Sequence, residues 1–233
     1  MRASATASAF ATTAVVIGLA LSGCGSSGDS KESTSSATSA SSSAAETTSE
    51  TTETSAAAPA DAQTVGEYLA AQGVTETLVK RGDPGAPTLD LPMPPGWADV
   101  GADTPEDAYG AIYLEGAQGS PPPAIIARME RLDGGTFDVA KILELIPNAV
   151  IKLPGWEGAA AGEPSELGGF DATAIAGTAT IDGVPTFVAR KGVVIPGPEH
   201  TYLLGLDAQG PADQQQVLLD AMAVIDEGTT ITP

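Results

Sequence analysis

The sequence between residues 61 and 233 predicts an α+β domain in which one antiparallel β-sheet is sandwiched between helices. Three strand-like segments, at 170–181, 186–195 and 200–207, follow one another with only short turns between them. Short links between neighbouring strands are typical of an antiparallel meander, because parallel strands need a longer crossover. Helical patterns precede these strands, and a helix with one apolar stripe follows them. This order favours α+β over an alternating α/β fold.

The first half of the domain predicts one short helix and four strands. Thr64 is a suitable N-cap for the helix, and Gly73 ends it. The strand segments lie at 74–80, 88–91, 111–115 and 124–132. Turn-forming runs separate them, namely Gly82-Asp83-Pro84-Gly85 and Pro121-Pro122-Pro123. The fourth segment alternates, with Ile126, Arg128 and Glu130 on the side opposite to Ala127, Met129 and Arg131.

The second half predicts two helices around the three-stranded meander. Thr136 is the expected N-cap of the first helix, whose apolar residues at 139, 142, 143 and 146 have helical spacing and which ends at Pro147. Asp182-Gly183 and the segment 196–198 supply the turns of the meander. Pro211 opens the last helix and Gly228 closes it. Its apolar stripe consists of Val217, Leu218, Ala221, Met222 and Ile225.

Residues 1–23 have the form of a bacterial lipoprotein signal peptide. Arg2 gives a basic start, and the uncharged run at 5–21 is shorter than the roughly 20 residues that span a bilayer as a helix. Leu21-Ser22-Gly23-Cys24 resembles the lipobox, whose cysteine receives a diacylglyceryl group and becomes the new N-terminus. Cys24 is also the one thiol of the chain. We therefore predict lipidation at Cys24 and attachment to the extracytoplasmic face of the cell membrane, in a periplasm-like space or at the cell surface.

Residues 24–60 predict a disordered tether between the lipidated cysteine and the domain at 61–233. After Cys24 the segment consists mainly of Ser, Thr, Ala and Gly, and it contains no aromatic residue, leucine, isoleucine or valine. Such a composition buries too little apolar surface to offset the entropy lost on ordering. The segment therefore serves as a spacer that holds the domain away from the membrane.

Charge and composition exclude several functional classes. Residues 61–233 contain 25 acidic and 8 basic residues, a net charge of −17, so we predict no nucleic-acid partner. A serine hydrolase needs a histidine beside its nucleophile, and the domain offers one histidine, His200, with Ser120 and Ser165 in unsuitable contexts. Zinc, calcium, P-loop and dinucleotide motifs are missing from the sequence. We predict a protein without enzymatic activity, metal or cofactor, and leave a carboxylate-based hydrolase as an open alternative.

Two tryptophans are candidates for contact with a ligand. Trp97 follows Pro94-Pro95-Gly96 and Trp156 follows Pro154-Gly155, so both are expected in loops behind turns. Large amphipathic rings in such positions either fill gaps at the edge of a core or line an apolar pocket. We predict that a ligand pocket lies between the sheet and a covering helix, with Trp97 or Trp156 at its mouth.

Six segments of the domain have a distinctive sequence, namely TVGEYL at 64–69, RGDPGAPTLDLPMPPGW at 81–97, YGAIY at 109–113, LPGWEG at 153–158, LGGF at 167–170 and VIDEGTTITP at 224–233. Together they resemble the LpqN/LpqT family of mycobacterial and related actinobacterial lipoproteins. The resemblance implies a fold like that of the Mog1 and PsbP proteins, with an antiparallel sheet between helices. It brings no catalytic residues to this chain.

The resemblance also implies an accessory role in the cell envelope. Family members are associated with mycolic-acid lipid transport, which would make trehalose glycolipids and the ectodomains of MmpL-type transporters the expected partners. We therefore expect a membrane-anchored, non-enzymatic binding module in envelope lipid transport. The alternative is a lipoprotein that acts on a host or envelope protein without a lipid ligand.

Overall fold

The computed structural model describes residues 62–118 and 121–233. In this part of the chain, α-helices and strands form a mixed domain dominated by antiparallel pairing. The helices are α1 (Val65–Ala71), α2 (Val139–Leu145), α3 (Asn148–Ile151) and α4 (Gln215–Gly228). The strands are β1 (Thr75–Leu78), β2 (Thr88–Asp90), β3 (Trp97–Asp99), β4 (Gly110–Leu114), β5 (Ala124–Asp133), β6 (Glu157–Gly158), β7 (Glu163–Leu167), β8 (Phe170–Ile181), β9 (Val184–Pro196), β10 (Thr201–Pro211) and β11 (Thr230–Thr232).

Nine of these strands form one sheet, in the spatial order β3-β4-β5-β10-β9-β8-β6. Two further members share existing edges, since β1 pairs with β5 and β7 pairs with β8. Strands β8, β9 and β10 are antiparallel neighbours, so the predicted meander is confirmed. Asp182 (φ 51°) and Gly183 (φ 80°) form the turn between β8 and β9, and both adopt the positive φ that a tight hairpin favours.

Helices cover both faces of this sheet. Helix α4 packs on one face, where the largest buried cluster includes Met129, Val193 and Leu204 from three central strands. Helices α1, α2 and α3 pack on the other face over two smaller clusters, which contain Leu132 and Ile175 respectively. We call these surfaces the α4 face and the α1–α3 face. The α+β prediction, with a large antiparallel sheet and few helices, is confirmed, although β2 and β11 pair in a second, two-stranded sheet.

Polar contacts join the three short helices into one layer. Helix α1 begins with a capping box, in which Glu67 N donates to Thr64 Oγ1 (3.3 Å) and Thr64 N donates to Glu67 Oε2 (2.7 Å). The Tyr68 hydroxyl accepts from Asp138 N (2.9 Å), and Asn148 Nδ2 donates to Gln63 O (2.8 Å). These bonds connect α1 to the start of α2 and to α3.

The predicted start of α2 is wrong, and a further helix that was not predicted follows its end. Asp138 rather than Thr136 caps α2, because the Asp138 carboxylate accepts from Ala140 N at 2.9 Å. Pro147 ends α2 as expected, but it also serves as the N-cap of α3, with φ −63°. Proline is tolerated at the start of a helix because its missing N–H would be unpaired there anyway. The same residue therefore separates two consecutive helices.

Candidate functional site

Three charged side chains meet at the centre of the α1–α3 face. Arg190 on β9 donates two hydrogen bonds to the carboxylate of Asp207 on β10, from Nε to Oδ1 at 2.6 Å and from Nη2 to Oδ2 at 2.9 Å. Arg128 on β5 reaches the same carboxylate from the other side, with Nη1 at 3.2 Å from Oδ2. Its Nε also binds Asp107 at 2.9 Å. We call Arg128, Arg190 and Asp207 the arginine cluster.

The strand register explains why these residues meet. Asp207 lies opposite Arg190, and the residue two positions earlier on β10, Gly205, lies opposite Arg128. Burial alone would lower the pKa of Arg190, but the hydrogen bonds and the negative charge of Asp207 outweigh burial and raise the pKa. The guanidinium of Arg190 therefore stays charged on a partly covered sheet face.

A carboxyl pair lies beside the arginine cluster. Burial raises the pKa of Glu130 on β5, and the like charge of Glu76 on β1 raises it further. The positive charges of Arg190 and Arg128 oppose this shift without cancelling it. Glu130 therefore holds a proton more tightly in the folded protein than in the unfolded chain.

We expect Glu130→Gln to stabilise the protein at neutral pH. The native state retains the Glu130 proton above the ordinary pKa of 4.5, so the stability from that proton is complete below 4.5 and is lost as pH rises through the raised pKa. Glutamine removes this loss. Melting temperatures should thus be higher for the variant at pH 7 and should converge with wild type near pH 4. The exposed Glu115→Gln is the control, and an equal effect of both variants would refute the explanation.

The arginine cluster forms part of the floor of a continuous groove. Two depressions, of about 220 and 250 Å³, share the arginine cluster and Ala149 of α3 as lining residues. The first depression continues toward Glu76, Glu130 and the beginning of α1. Beyond these shared residues, the second is lined mainly by apolar side chains, which are Ile126, Val150, Leu153, Ile181 and Val188. The arginine cluster therefore lies in the middle of the groove, between an end that carries Glu76 and Glu130, the charged end, and an apolar end.

Glycine keeps this groove open. A side chain on Gly205 would point into empty space, since a Cβ there meets no atom within 4 Å. Its neighbour Gly192 on β9 has a different role, because a Cβ there would collide with the side chain of Ile146. Gly192 lets the end of α2 approach the sheet, whereas Gly205 leaves a gap beside it.

The two tryptophans lie on opposite faces of the sheet. Trp97 begins strand β3 rather than lying in a loop, and its side chain is only 6% exposed within the cluster under α4. The predicted loop position of Trp97 is therefore wrong, because backbone pairing with Leu114 on β4 places it in the sheet. It is not among the residues that line the groove.

Trp156 lies at the edge of the α1–α3 face. Its ring covers Gly158 and Gly177, where a Cβ would come within 2.6 and 2.7 Å of ring atoms. The indole Nε1 donates to Ala159 O (3.1 Å). The half-buried ring packs against the buried cluster that contains Val150 and Val188, and these two residues also line the apolar end of the groove. Trp156 is thus one layer of side chains away from the groove.

The remaining residues considered in the sequence do not form a catalytic or metal site in the described ranges. His200 Nδ1 lies 3.0 Å from Asp133 Oδ1, and no three His, Asp or Glu side chains of these ranges are arranged so that they could hold a metal ion. No helix within residues 62–118 and 121–233 is long and apolar enough to cross a membrane. Cys24, the signal peptide and the tether lie outside the described residues.

Comparison with known proteins places the chain in a family. The family model described as probable lipoprotein LpqN matches residues 61–232. The chain belongs to the LpqN lipoprotein family. Lipoprotein LpqN of Mycobacterium tuberculosis (strain ATCC 25618 / H37Rv) is 38% identical over 170 residues, which cover 73% of this chain and 74% of that protein.

A solved LpqN structure agrees with the fold. The crystal structure of LpqN from Mycobacterium tuberculosis, described as involved in cell envelope biogenesis, superposes with a TM-score of 0.70 at 38% identity. The match covers 74% of this chain and 99% of the solved one. The resemblance seen in the sequence segments is therefore confirmed, and the known members of this LpqN family that match here are named as lipoproteins.

Sequence patterns had not identified the arginine cluster. The alternation in 124–132 did place Arg128 and Glu130 on the face opposite Met129. A second signal was present, because Arg190 and Asp207 also interrupt strands that are otherwise mostly apolar. Charges at the middle of three consecutive sheet strands indicate a polar site on the sheet face, once the register is known.

Proposed function

We propose that this LpqN-family chain is a membrane-anchored, non-enzymatic lipoprotein that binds an envelope glycolipid in the groove of the α1–α3 face. The observation that carries the proposal is the division of the groove into a charged end and an apolar end. An amphiphile needs both kinds of surface, and ligand sites commonly combine an apolar wall with a few placed polar groups.

The charged end, together with the arginine cluster beside it, suits a neutral, hydroxyl-rich headgroup. Guanidinium groups only donate hydrogen bonds and ionised carboxylates only accept them, whereas a sugar hydroxyl does both. Arg128, Arg190 and Asp207 are already paired, so the net charge of this trio is small and favours an uncharged ligand over an ion. Trehalose headgroups have this chemistry. In a trehalose monoester, which has one acyl chain, that chain would lie along Leu153, Ile181 and Val188.

The anchor and the family support a place in the cell envelope. The related Mycobacterium tuberculosis protein is described as involved in cell envelope biogenesis. We propose that a diacylglyceryl group on Cys24 holds this chain at the extracytoplasmic face of the cell membrane, where it serves lipid transport beside MmpL-type transporter ectodomains. Tethering raises the effective concentration of such partners, so weak affinity suffices. We also propose that the fold is related to that of the Mog1 and PsbP proteins.

Filling the groove at Gly205 tests the ligand site. Gly205→Leu places a side chain in empty space on the groove floor and should weaken binding of a trehalose monoester at least tenfold, about 1.4 kcal/mol. Gly205→Ala is the matched control and should retain binding. Alanine in a strand interior should also raise stability by about 0.5–1 kcal/mol, because it restricts the unfolded chain.

The binding measurement can use Trp156 as its reporter. Trp97→Phe, on the opposite face, leaves Trp156 as the remaining tryptophan of the chain. Titration with a trehalose monoester, with free trehalose and with the fatty acid alone separates headgroup from acyl recognition. Fluorescence change and thermal stabilisation by the monoester, lost in Gly205→Leu, are expected. If the monoester causes neither change, the glycolipid proposal fails and a purely protein-binding role takes its place.

A further inference from the structure

The α4 face carries a second groove, on the side of the sheet opposite the glycolipid site. Helix α4 contacts β10 and β7, and parts of β8 and β9, which lie between those two strands, stay uncovered beside it. The gap has a volume of about 370 Å³. Its apolar lining consists mainly of Ala174, Ala176 and Ala189 from the sheet and of Leu219, Met222 and Ala223 from the helix. We call it the α4 groove.

The shape of the α4 groove suits a second helix alongside α4. Alanine side chains make a shallow floor, so a helix backbone can approach the sheet closely. Ala176 is exposed, and Leu219 is 37% exposed at the rim although it is a large apolar residue. An amphipathic helix that laid its apolar face on this floor would cover both residues, as helix-in-groove complexes do.

The charge around the α4 groove selects a cationic partner. Glu163 and Asp226 line the groove, and Glu163 is exposed. The two bases in the lining are already committed. Lys191 is 3% exposed and binds Asp226 Oδ2 at 2.6 Å, and the guanidinium of Arg190 binds Asp207 on the other face. Asp226 is paired with Lys191 in turn, so the accessible charge of the rim comes from Glu163 and is negative.

We propose that the α4 groove docks a basic amphipathic helix of a partner protein. Positive side chains on the edge of that helix would meet Glu163, and its apolar side would cover the alanine floor. Complementary charge of this kind speeds association and excludes wrong partners. A second copy of this chain does not fit, because both copies would bring the same acidic rim and a domain charge of −17.

A designed peptide pair tests this surface on the full-length lipoprotein. The first peptide is a helix with leucine on one face and lysine on the other, and the second has glutamate in place of lysine. We expect the lysine peptide to bind with an affinity that falls as salt rises, and the glutamate peptide not to bind. Equal binding of both peptides would overturn the proposal.

Two variants separate docking in the α4 groove from general attraction to an acidic protein. Ala176→Trp fills the floor from an exposed position and should weaken binding about tenfold or more. Glu163→Lys reverses a rim charge, and Glu115→Lys makes the same change in net charge at an exposed site outside the groove. Glu163→Lys should weaken binding several-fold more than Glu115→Lys does.

Contrary results are equally clear. Equal effects of Glu163→Lys and Glu115→Lys, or full binding by Ala176→Trp, would show that overall charge alone attracts the peptide. Sedimentation that reveals a concentration-dependent dimer, dissociated by Ala176→Trp, would assign the groove to a second copy. Glycolipid binding lies on the opposite face and should be unchanged in all three variants, so failure here is distinct from failure of the proposed function.

Discussion

Replacing Cys24 with alanine should move the protein from the membrane fraction to the soluble or secreted fraction. Leu21-Ser22-Gly23-Cys24 resembles a lipobox, and Cys24 supplies the one thiol that lipidation requires. Each buried methylene contributes about 0.8 kcal/mol to membrane binding, and one acyl chain gives only reversible attachment. A diacylglyceryl group brings two chains, so its loss removes a stable anchor.

Fractionation of cells that express wild type and Cys24→Ala measures this effect. Ser27→Ala lies just beyond the lipobox and keeps the thiol, so it should remain in membranes like wild type. Metabolic labelling with a fatty acid should mark wild type and Ser27→Ala alone. Retention of Cys24→Ala in membranes after a high-salt wash would show that another element anchors the chain.

Asp226→Ala should be among the most destabilising substitutions in the domain. Lys191 is nearly completely buried, and its Nζ has two recorded partners, Asp226 Oδ2 at 2.6 Å and Glu166 O at 3.3 Å. Removal of the carboxylate leaves a buried ammonium group without a counter-charge. Breaking a buried pair in this way costs about 3–5 kcal/mol, which corresponds to a fall in melting temperature of roughly 6–20 °C.

Lys191→Met should destabilise the protein much less than Asp226→Ala does. Comparison of the two variants therefore tests whether the cost comes from an unpaired buried charge or from the lost attraction between the two charges. Asp226 keeps 35% of its side chain exposed, so its carboxylate can turn the buried Oδ1 toward water when the lysine is gone. Methionine also fills a similar volume, so we expect a loss below about 1.5 kcal/mol. The double variant should resemble Lys191→Met, and thermal denaturation of all three measures the difference. Equal losses in the two single variants would show that the two charges stabilise the fold mainly through their mutual attraction.

Local signals in the sequence predicted α1, α2, α4 and the long strands, although α4 begins at Gln215 rather than at Pro211, and they missed α3. Thr64 forms the expected cap of α1, and Asp182-Gly183 forms the expected turn. The prediction also did not include the short edge strands β3, β6 and β7. Strand β7 contains Pro164, which argues against a strand in the sequence but is tolerated at an edge because its missing N–H need not pair. Edge strands depend on their neighbours more than on their own residues.

The candidate site depended on information that local patterns do not contain. Arg128 and Asp207 are separated by 79 positions, and they meet because β5 and β10 pair in one particular register. A shift by one residue would turn Asp207 to the α4 face. Trp97 illustrates the same limit, since its burial follows from pairing between β3 and β4. Proline and glycine before it had indicated a loop.

The short edge strands of the nine-stranded sheet affect how copies of the protein would behave when they are crowded on a membrane. On one side of β5, two short strands, β1 and β4, pair with different parts of it, and β6 and β7 do the same on one side of β8. The edges of the sheet therefore consist of short strands of two to five residues. Unpaired backbone along a long straight border recruits strands from other molecules, and short interrupted borders do not. Copies anchored through Cys24 would meet one another at far higher local density than in solution. Because the edge strands are short and interrupted, anchored copies would not pair edge to edge, and each copy would remain free to diffuse in the plane of the membrane.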